Sequence, residues 1–337
     1  MSKKAHIHAI GVYLPEKVLS NQDLEKLVET TDEWIVSRTG MRERRIAHEN
    51  EFTSDMGTIA AKRALEKAGL SVDKIDLILV ATLSPDYPFP STACLIQANL
   101  KAKKAASLDI QAACSGLIYG LSIAKAYIES GIYKNILLVA AEKLSSIIDY
   151  QDRNTCVLFG DGAAACVIGD APNGLEIGTI SLGSDGGESH LLMMPGGGAR
   201  NPSSQETVEK RLHYLKMNGK EVFRQAVRHM ESACLECIQK EGLKEEDIAY
   251  LVPHQANIRI IEAIAKRCKI AEERVIKVIH LYGNTSAASV GLGLHHLLEN
   301  HPVKEEDRIL LVAFGAGLTW GSVILRQTQG LLALERE

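Results

Sequence analysis

Apolar positions recur along the chain with two periods. Residues 53–68, "TSDMGTIAAKRALEKA", predict a helix that Thr53 caps and Gly69 ends. Residues 74–82, "KIDLILVAT", form a short run too apolar for a half-exposed strand, which suits the middle of a parallel sheet. "AASLDIQAA" (105–113) and "NILLVAA" (135–141) read the same way, and the stretch from about 115 to 129 between them predicts a helix. Strand–helix–strand alternation predicts an α/β fold whose mixed, mostly parallel sheets are covered by helices. The stretch 184–208 is rich in Gly, Ser and Pro and predicts an irregular excursion, not a linker between independent domains.

The pattern also repeats. Shifted by 173 residues, the sequence matches itself without a gap in three segments. "ALEKAGLSVDKIDLILV" (64–80) falls on "CIQKEGLKEEDIAYLVP" (237–253). Gly120-Leu121 falls on Gly293-Leu294, and "ILLVA" (136–140) falls on an identical "ILLVA" (309–313). Generic buried strands would explain one such match, but three at one offset predict a duplicated unit. The expected halves are residues 1–173 and 174–337, packed about a pseudo-twofold axis.

Composition narrows the function classes. The 337 residues are 46% hydrophobic and 24% charged, ordinary values for a globular chain. A net charge of −4 supplies no basic field for nucleic acid. No apolar run approaches the ~20 residues that span a bilayer, so no membrane association is expected. The start, "MSKKAHIHAIGVYLP", has no h-region or cleavage site, so no signal peptide is expected. Seven scattered cysteines fit reduced thiols in a cytoplasmic protein better than a disulfide framework.

Candidate chemistry gathers at strand ends, where open α/β sheets bind ligands. In "LDIQAACSGL" (108–117) Cys114 stands where a strand becomes a helix. A free cysteine there fills space like any small apolar residue. A thiol at a helix N-terminus also gains thiolate character from the unsatisfied N–H groups, which suits attack on acyl groups. The matching half offers His254 after "AYLVP" and Asn284 after "VIHLYG", and a glycine-rich turn at 315–317 follows "ILLVAF". Backbone N–H groups of Cys114 and of that turn are candidates to polarise a carbonyl. His254 then has two possible roles. It takes the thiol proton, as in a hydrolase, or it joins Asn284 in donating to one substrate oxygen and stabilises an enolate. Spacing leaves both open.

Two further motifs are read as structural. Cys234 and Cys237 form a CxxC within a helical segment and have no second pair. "FGDGAA" (159–164) lacks the spacing and context of a phosphate loop and predicts a tight turn.

Several motifs together carry a family resemblance over essentially the whole chain. They are "TDEWIVSRTGMRERR" (31–45), "FPSTAC" (89–94), "DIQAACSGL" (109–117), "DRNTCVLFGDGAAA" (152–165), "HQANIRI" (254–260), "GNTSAAS" (283–289) and "FGAGLTWGS" (314–322). In this order they resemble the 3-oxoacyl-[acyl-carrier-protein] synthase III family of bacterial type II fatty acid synthesis, within the thiolase-like superfamily. The resemblance implies a thiolase-like fold of two duplicated α/β halves. It implies that Cys114 takes an acyl group from acyl-coenzyme A, and that His254 and Asn284 hold the thioester oxygen of malonyl-acyl-carrier protein as it loses carbon dioxide. The product would be a 3-oxoacyl-carrier protein, with no metal or redox cofactor.

Other roles come from the same resemblance. The N–H groups of Cys114 and Ala316 would form the oxyanion hole. Trp34 and Arg153 would sandwich the adenine of coenzyme A, Arg38 would contact its phosphates, and Asn257 would line the pantetheine tunnel. Gln255, Arg259 and Arg224 would dock the acidic carrier protein. Phe89 would close the acyl pocket of a partner subunit, which implies a homodimer. The chain departs from the family at Ala316, where a glycine is usual, and at Arg224, where a lysine is common. A related synthase of a secondary pathway and, at a greater distance, a cysteine acyl hydrolase are the alternative readings.

Overall fold

The apolar runs become strands of one nine-stranded sheet. In chain order these are β1 (His6–Tyr13), β2 (Leu77–Ala81), β3 (Ala106–Ile110), β4 (Asn135–Glu142), β5 (Gly162–Gly169), β6 (Leu175–Ser184), β7 (Ile248–Pro253), β8 (Arg308–Gly315) and β9 (Thr319–Gln327). The computed structural model describes residues 3–328, so the outer ends of the two expected halves, 1–2 and 329–337, lie outside the described residues. The spatial order is β7-β8-β9-β6-β1-β5-β4-β2-β3.

Outward from the centre, β1-β5-β4-β2 and β6-β9-β8-β7 run in the same sequence of senses. In each, the first two pairings are antiparallel and the third is parallel. β4 and β8 keep the sequence offset of 173 at both ends. β1 and β6 join the two series through an antiparallel pairing of Ile7 with Leu175. Parallel pairing is confined to β3-β2-β4 and β7-β8. The remaining pairings are antiparallel, and between β8 and β9 only three residues intervene, far fewer than a parallel crossover needs.

β3 is not the buried strand that its composition predicts. It is the last strand of the sheet, and its residues are exposed or half-buried, with Leu108 39% exposed.

Among the described residues, seven helices of eight or more residues cover the sheet: α1 (Asp32–Thr39), α2 (Thr53–Ala68), α3 (Thr92–Leu100), α4 (Gly116–Glu129), α5 (Gly219–Lys240), α6 (Ile258–Arg267) and α7 (Ala288–Asn300). Alternate strand residues face opposite layers. Leu77, Leu79 and Leu138 pack in one core with Leu117, Leu121 and Ile128 of α4 and Val290, Leu294 and Leu297 of α7. Leu311 and Ala313 of the second series reach the same core, so α4 and α7 lie between the halves. Ile78, Val80, Leu137 and Val139 turn the other way, toward α2 and α3. Leu310 and Val312 do the same toward α5 and α6.

α2 has the predicted span, with a different cap. Phe52 holds the cap position, its N–H donating to Asp55 Oδ2 at 3.0 Å. Thr53 is the first helical residue and donates its hydroxyl to Ser84 O at 2.6 Å. Gly69 ends the helix at φ +59°. Cys234 and Cys237 are buried free thiols on α5. The 159–164 turn is structural: Asp161 accepts from the N–H of Ala47 at 2.8 Å and of Ser145 at 2.9 Å.

Candidate active site

Cys114 does not stand on the first turn of α4. After β3 the chain makes one 3-10 turn, Ala113–Ser115, and the helix begins at Gly116. Ala113 has φ +45°, a left-handed conformation that costs energy for any residue with a Cβ and is concentrated at functional sites. The end of β8 presses on this turn. A Cβ on Gly315 would lie 2.6 Å from Cys114 N, so only glycine admits the approach. Thr319 stitches the two segments: its Oγ1 lies 2.9 Å from Ala112 O and 3.1 Å from Ala316 O, and its single hydroxyl hydrogen is shared between them. Ala316, the second residue expected in the oxyanion hole, therefore follows a glycine already packed on Cys114.

His254 follows Pro253, the last residue of β7, and its N–H donates to Val312 O at 2.8 Å. Its ring is buried, and Nδ1 is 2.5 Å from Ser289 Oγ in the first turn of α7. Burial pushes its pKa down to about 3, so the imidazole is neutral at pH 7. Asn284 is held at both ends of its backbone: its N–H donates to Leu158 O at 2.9 Å, and its O accepts from Gly160 N at 3.0 Å. Its Oδ1 accepts the Ser286 N–H at 2.9 Å, which leaves the Nδ2 amino group as the donor end.

Cys114, His254 and Asn284 line one cavity of about 460 Å³. The expected ionisation of the thiol is corrected. Burial pushes Cys114 up to about 12, against a smaller opposing pull from Ser286. A second buried acid lies nearby: Glu142 accepts from Ser84 Oγ at 2.6 Å and Thr82 Oγ1 at 3.0 Å, and its charge raises Cys114 further.

The residues expected at the mouth divide. Trp34 and Arg38 of α1 line the cavity, as do Asn257 and Arg259. The guanidinium carbons of Arg153 and Arg38 lie 5.1 and 5.5 Å from the Trp34 ring centroid. Asn257 is the cap of α6, with Oδ1 accepting from Arg259 N at 2.9 Å and Nδ2 donating to Arg38 O at 3.0 Å. Arg259 is exposed and stacks over Phe223 at 5.6 Å, while Arg224 pairs with Glu221 at 2.7 Å.

Gln255 is not a docking residue. It is 1% exposed and donates to Pro253 O at 2.7 Å and Ile276 O at 3.1 Å. It also accepts from the N–H groups of Val278 and Ile279 at 2.9 and 3.1 Å. Every hydrogen-bonding direction is spent inside the fold. Phe89 lies outside this chain's cavity and is 84% exposed.

Sequence reasoning missed the far wall. Leu192 from the irregular excursion and Met217, Phe223 and Met230 line the cavity. Phe223 and Met230 share one face of α5, a stripe visible as helical spacing but indistinguishable from ordinary core. Ser289 lies within "GNTSAAS", where nothing in the sequence marks it for a role.

Comparison with known proteins adds independent findings. Residues 108–186 match the family 3-Oxoacyl-[acyl-carrier-protein (ACP)] synthase III, and residues 238–327 match its C-terminal family. A beta-ketoacyl-[acyl-carrier-protein] synthase III of Chlamydia pneumoniae is 58% identical, covering 97% of this chain and 98% of that protein. The crystal structure of 3-oxoacyl-[acyl-carrier-protein] synthase III from Aquifex aeolicus superposes with a TM-score of 0.88 at 48% identity, covering 96% of this chain and 99% of that one. The corresponding enzyme structure from Thermus thermophilus gives 0.90 at 44% identity, with 96% and 100% covered.

Proposed function

The chain belongs to the 3-oxoacyl-[acyl-carrier-protein] synthase III family, the condensing enzymes that initiate type II fatty acid synthesis, and from that premise we propose that Cys114, His254 and Asn284 carry the reaction. The observation that carries this reading is their convergence on one cavity, with a neutral imidazole and an amide whose oxygen is already committed.

The substrates are acyl-coenzyme A and malonyl-acyl-carrier protein. Sγ of Cys114 attacks the acyl-coenzyme A carbonyl. A new C–S bond forms, the bond to coenzyme A breaks, and the thiol proton ends on the departing coenzyme A sulfur. The N–H groups of Cys114 and Ala316 serve the tetrahedral oxyanion. Malonyl-carrier protein then loses carbon dioxide, and the electron pair of the broken C–C bond becomes an enolate. His254 and Asn284 donate to its oxygen. The enolate carbon attacks the acyl-Cys114 carbonyl and expels the thiolate, which takes a proton from solvent. The steps balance without a redox group.

A hydrolase would instead use His254 as the base for Cys114. An imidazole held near 3 is a poor acceptor for a thiol held near 12, which favours the donor role.

Trp34, Arg153 and Arg38 suit the adenine and phosphates of coenzyme A, with Asn257 framing the tunnel. Arg259 and Arg224, exposed on neighbouring helices, suit an acidic carrier. A homodimer is supported by the exposure of Phe89 and Tyr87 and by the free edge of β3 with Leu108 exposed, since apolar edges are normally covered. A cytoplasmic location fits these substrates; among the described residues no helix is long and apolar enough to cross a membrane. The boundary between halves at 173/174 falls in the connection between β5 and β6.

Incubation with acyl-coenzyme A and malonyl-carrier protein tests the whole reading. Condensation yields carbon dioxide and a 3-oxoacyl-carrier protein, whereas release of free acid from acyl-coenzyme A alone would favour the hydrolase.

A further inference from the structure

We propose that Ser289 is a positioning residue, whose hydroxyl donates to Nδ1 of His254 and so holds the imidazole as the Nε2–H tautomer. The proposal rests on His254 being the enolate donor of the preceding reading. Ser289 sits in the first turn of α7, is 1% exposed, and brings Oγ to 2.5 Å from Nδ1. The same oxygen is 3.4 Å from the backbone N of Gln255. An N–H can only donate, so Oγ accepts from Gln255 and its own hydrogen remains to be placed. Among the described residues the Ser289 hydroxyl has one acceptor, Nδ1.

The opposite tautomer leaves the site short of an acceptor. With a proton on Nδ1, both the imidazole and Gln255 would direct hydrogens at Oγ. The serine hydrogen would then be buried with no protein acceptor among the described residues, a costly arrangement. With Nδ1 accepting, each of the three groups is satisfied, and the second ring nitrogen carries the proton. A neutral imidazole in that form has an N–H for a substrate oxygen and no free lone pair for the Cys114 thiol. The hydrogen bond on one nitrogen of a histidine thus decides what the other can do. Gln255 takes part by its backbone alone, because its side chain is tied to the 276–279 segment.

Neutron diffraction on crystals of the full chain reads these protons directly. The expected result is deuterium on Nε2 and a Ser289 deuterium directed at Nδ1; deuterium on Nδ1 would overturn the proposal whatever His254 does in catalysis. Kinetics give a second reading. Ser289→Ala should slow malonyl-thioester decarboxylation about 10-fold, less than losing the donor outright, with acylation of Cys114 changed no more than about 2-fold. Ser289→Thr, which keeps the hydroxyl, should recover most of that loss. Wild-type decarboxylation in Ser289→Ala would refute the role. Failure of the underlying reading looks different: His254→Ala would then decarboxylate normally while the tautomer was still as stated.

Discussion

At Cys114 two influences oppose each other: a hydrogen bond from Ser286 favours the thiolate, and burial favours the thiol. Burial is the larger, and the group is held near 12. The resting thiol should therefore be sluggish toward alkylation. Its reaction with iodoacetamide, followed by mass spectrometry of the Cys114 peptide, should rise about tenfold per pH unit through pH 9 without levelling; a plateau near neutrality would contradict this. His254 titrates in the opposite sense. Its pKa is depressed in the folded chain, so between about 6.5 and about 3 the unfolded chain binds a proton that the folded chain refuses. Stability from this group is complete above about 6.5 and falls as the pH drops. By pH 5 the loss is about 2 kcal/mol. Urea titrations at pH 7.5 and pH 5 should show a smaller pH effect in His254→Gln than in wild type, and equal effects would refute the assignment. Cys114, His254 and Asn284 were all legible as polar residues at strand ends. The thiol's pKa was not, because a sequence shows the coming helix but not the depth of burial. Gln255 was misplaced for a related reason: nothing in "HQANIR" tells which side chain turns inward.

Elements were legible where one chain alone decides them. α2, α4, β2 and β4 lie where their periodicity placed them. β3 was misread as buried because an edge strand can carry the same apolar composition as a central strand. The expectation of a mostly parallel sheet failed, for example, between β8 and β9, where a three-residue connection permits no parallel crossover. Close approach between elements was also hidden. Gly315 looks like one glycine of a flexible turn, yet β8 can meet the Cys114 turn only without a Cβ there. Gly315→Ala must shift the backbone at Cys114, and, with Cys114 as the proposed nucleophile, a misplacement of that kind costs about 10²-fold or more. The variant should fold, with a near-native circular dichroism spectrum, and should lose acyl-enzyme formation by that factor. Native acylation in Gly315→Ala would show that the approach is not needed.

Over the whole molecule, duplication was the most legible feature, because a matched offset survives in strand residues that both halves must bury. What it could not reveal is how the halves join. β1 and β6 fuse them into one sheet, and α4 and α7 share a core between them. Cys114 comes from the first half and His254 and Asn284 from the second, so the cavity is assembled from both. On this reading His254 and Asn284 serve one enolate oxygen and not the thiol. The two half-reactions, measured separately on His254→Ala, Asn284→Ala and the double variant, test it most directly, with acylation followed by intact-protein mass spectrometry and decarboxylation by carbon dioxide release. Each single variant should acylate Cys114 and lose decarboxylation by about 10²-fold or more, the scale of one missing oxyanion donor. The double variant should lose less than the product of the two, as groups acting on one atom do. Failed acylation in a folded His254→Ala, with normal acylation in Asn284→Ala, would make His254 the base and contradict the account.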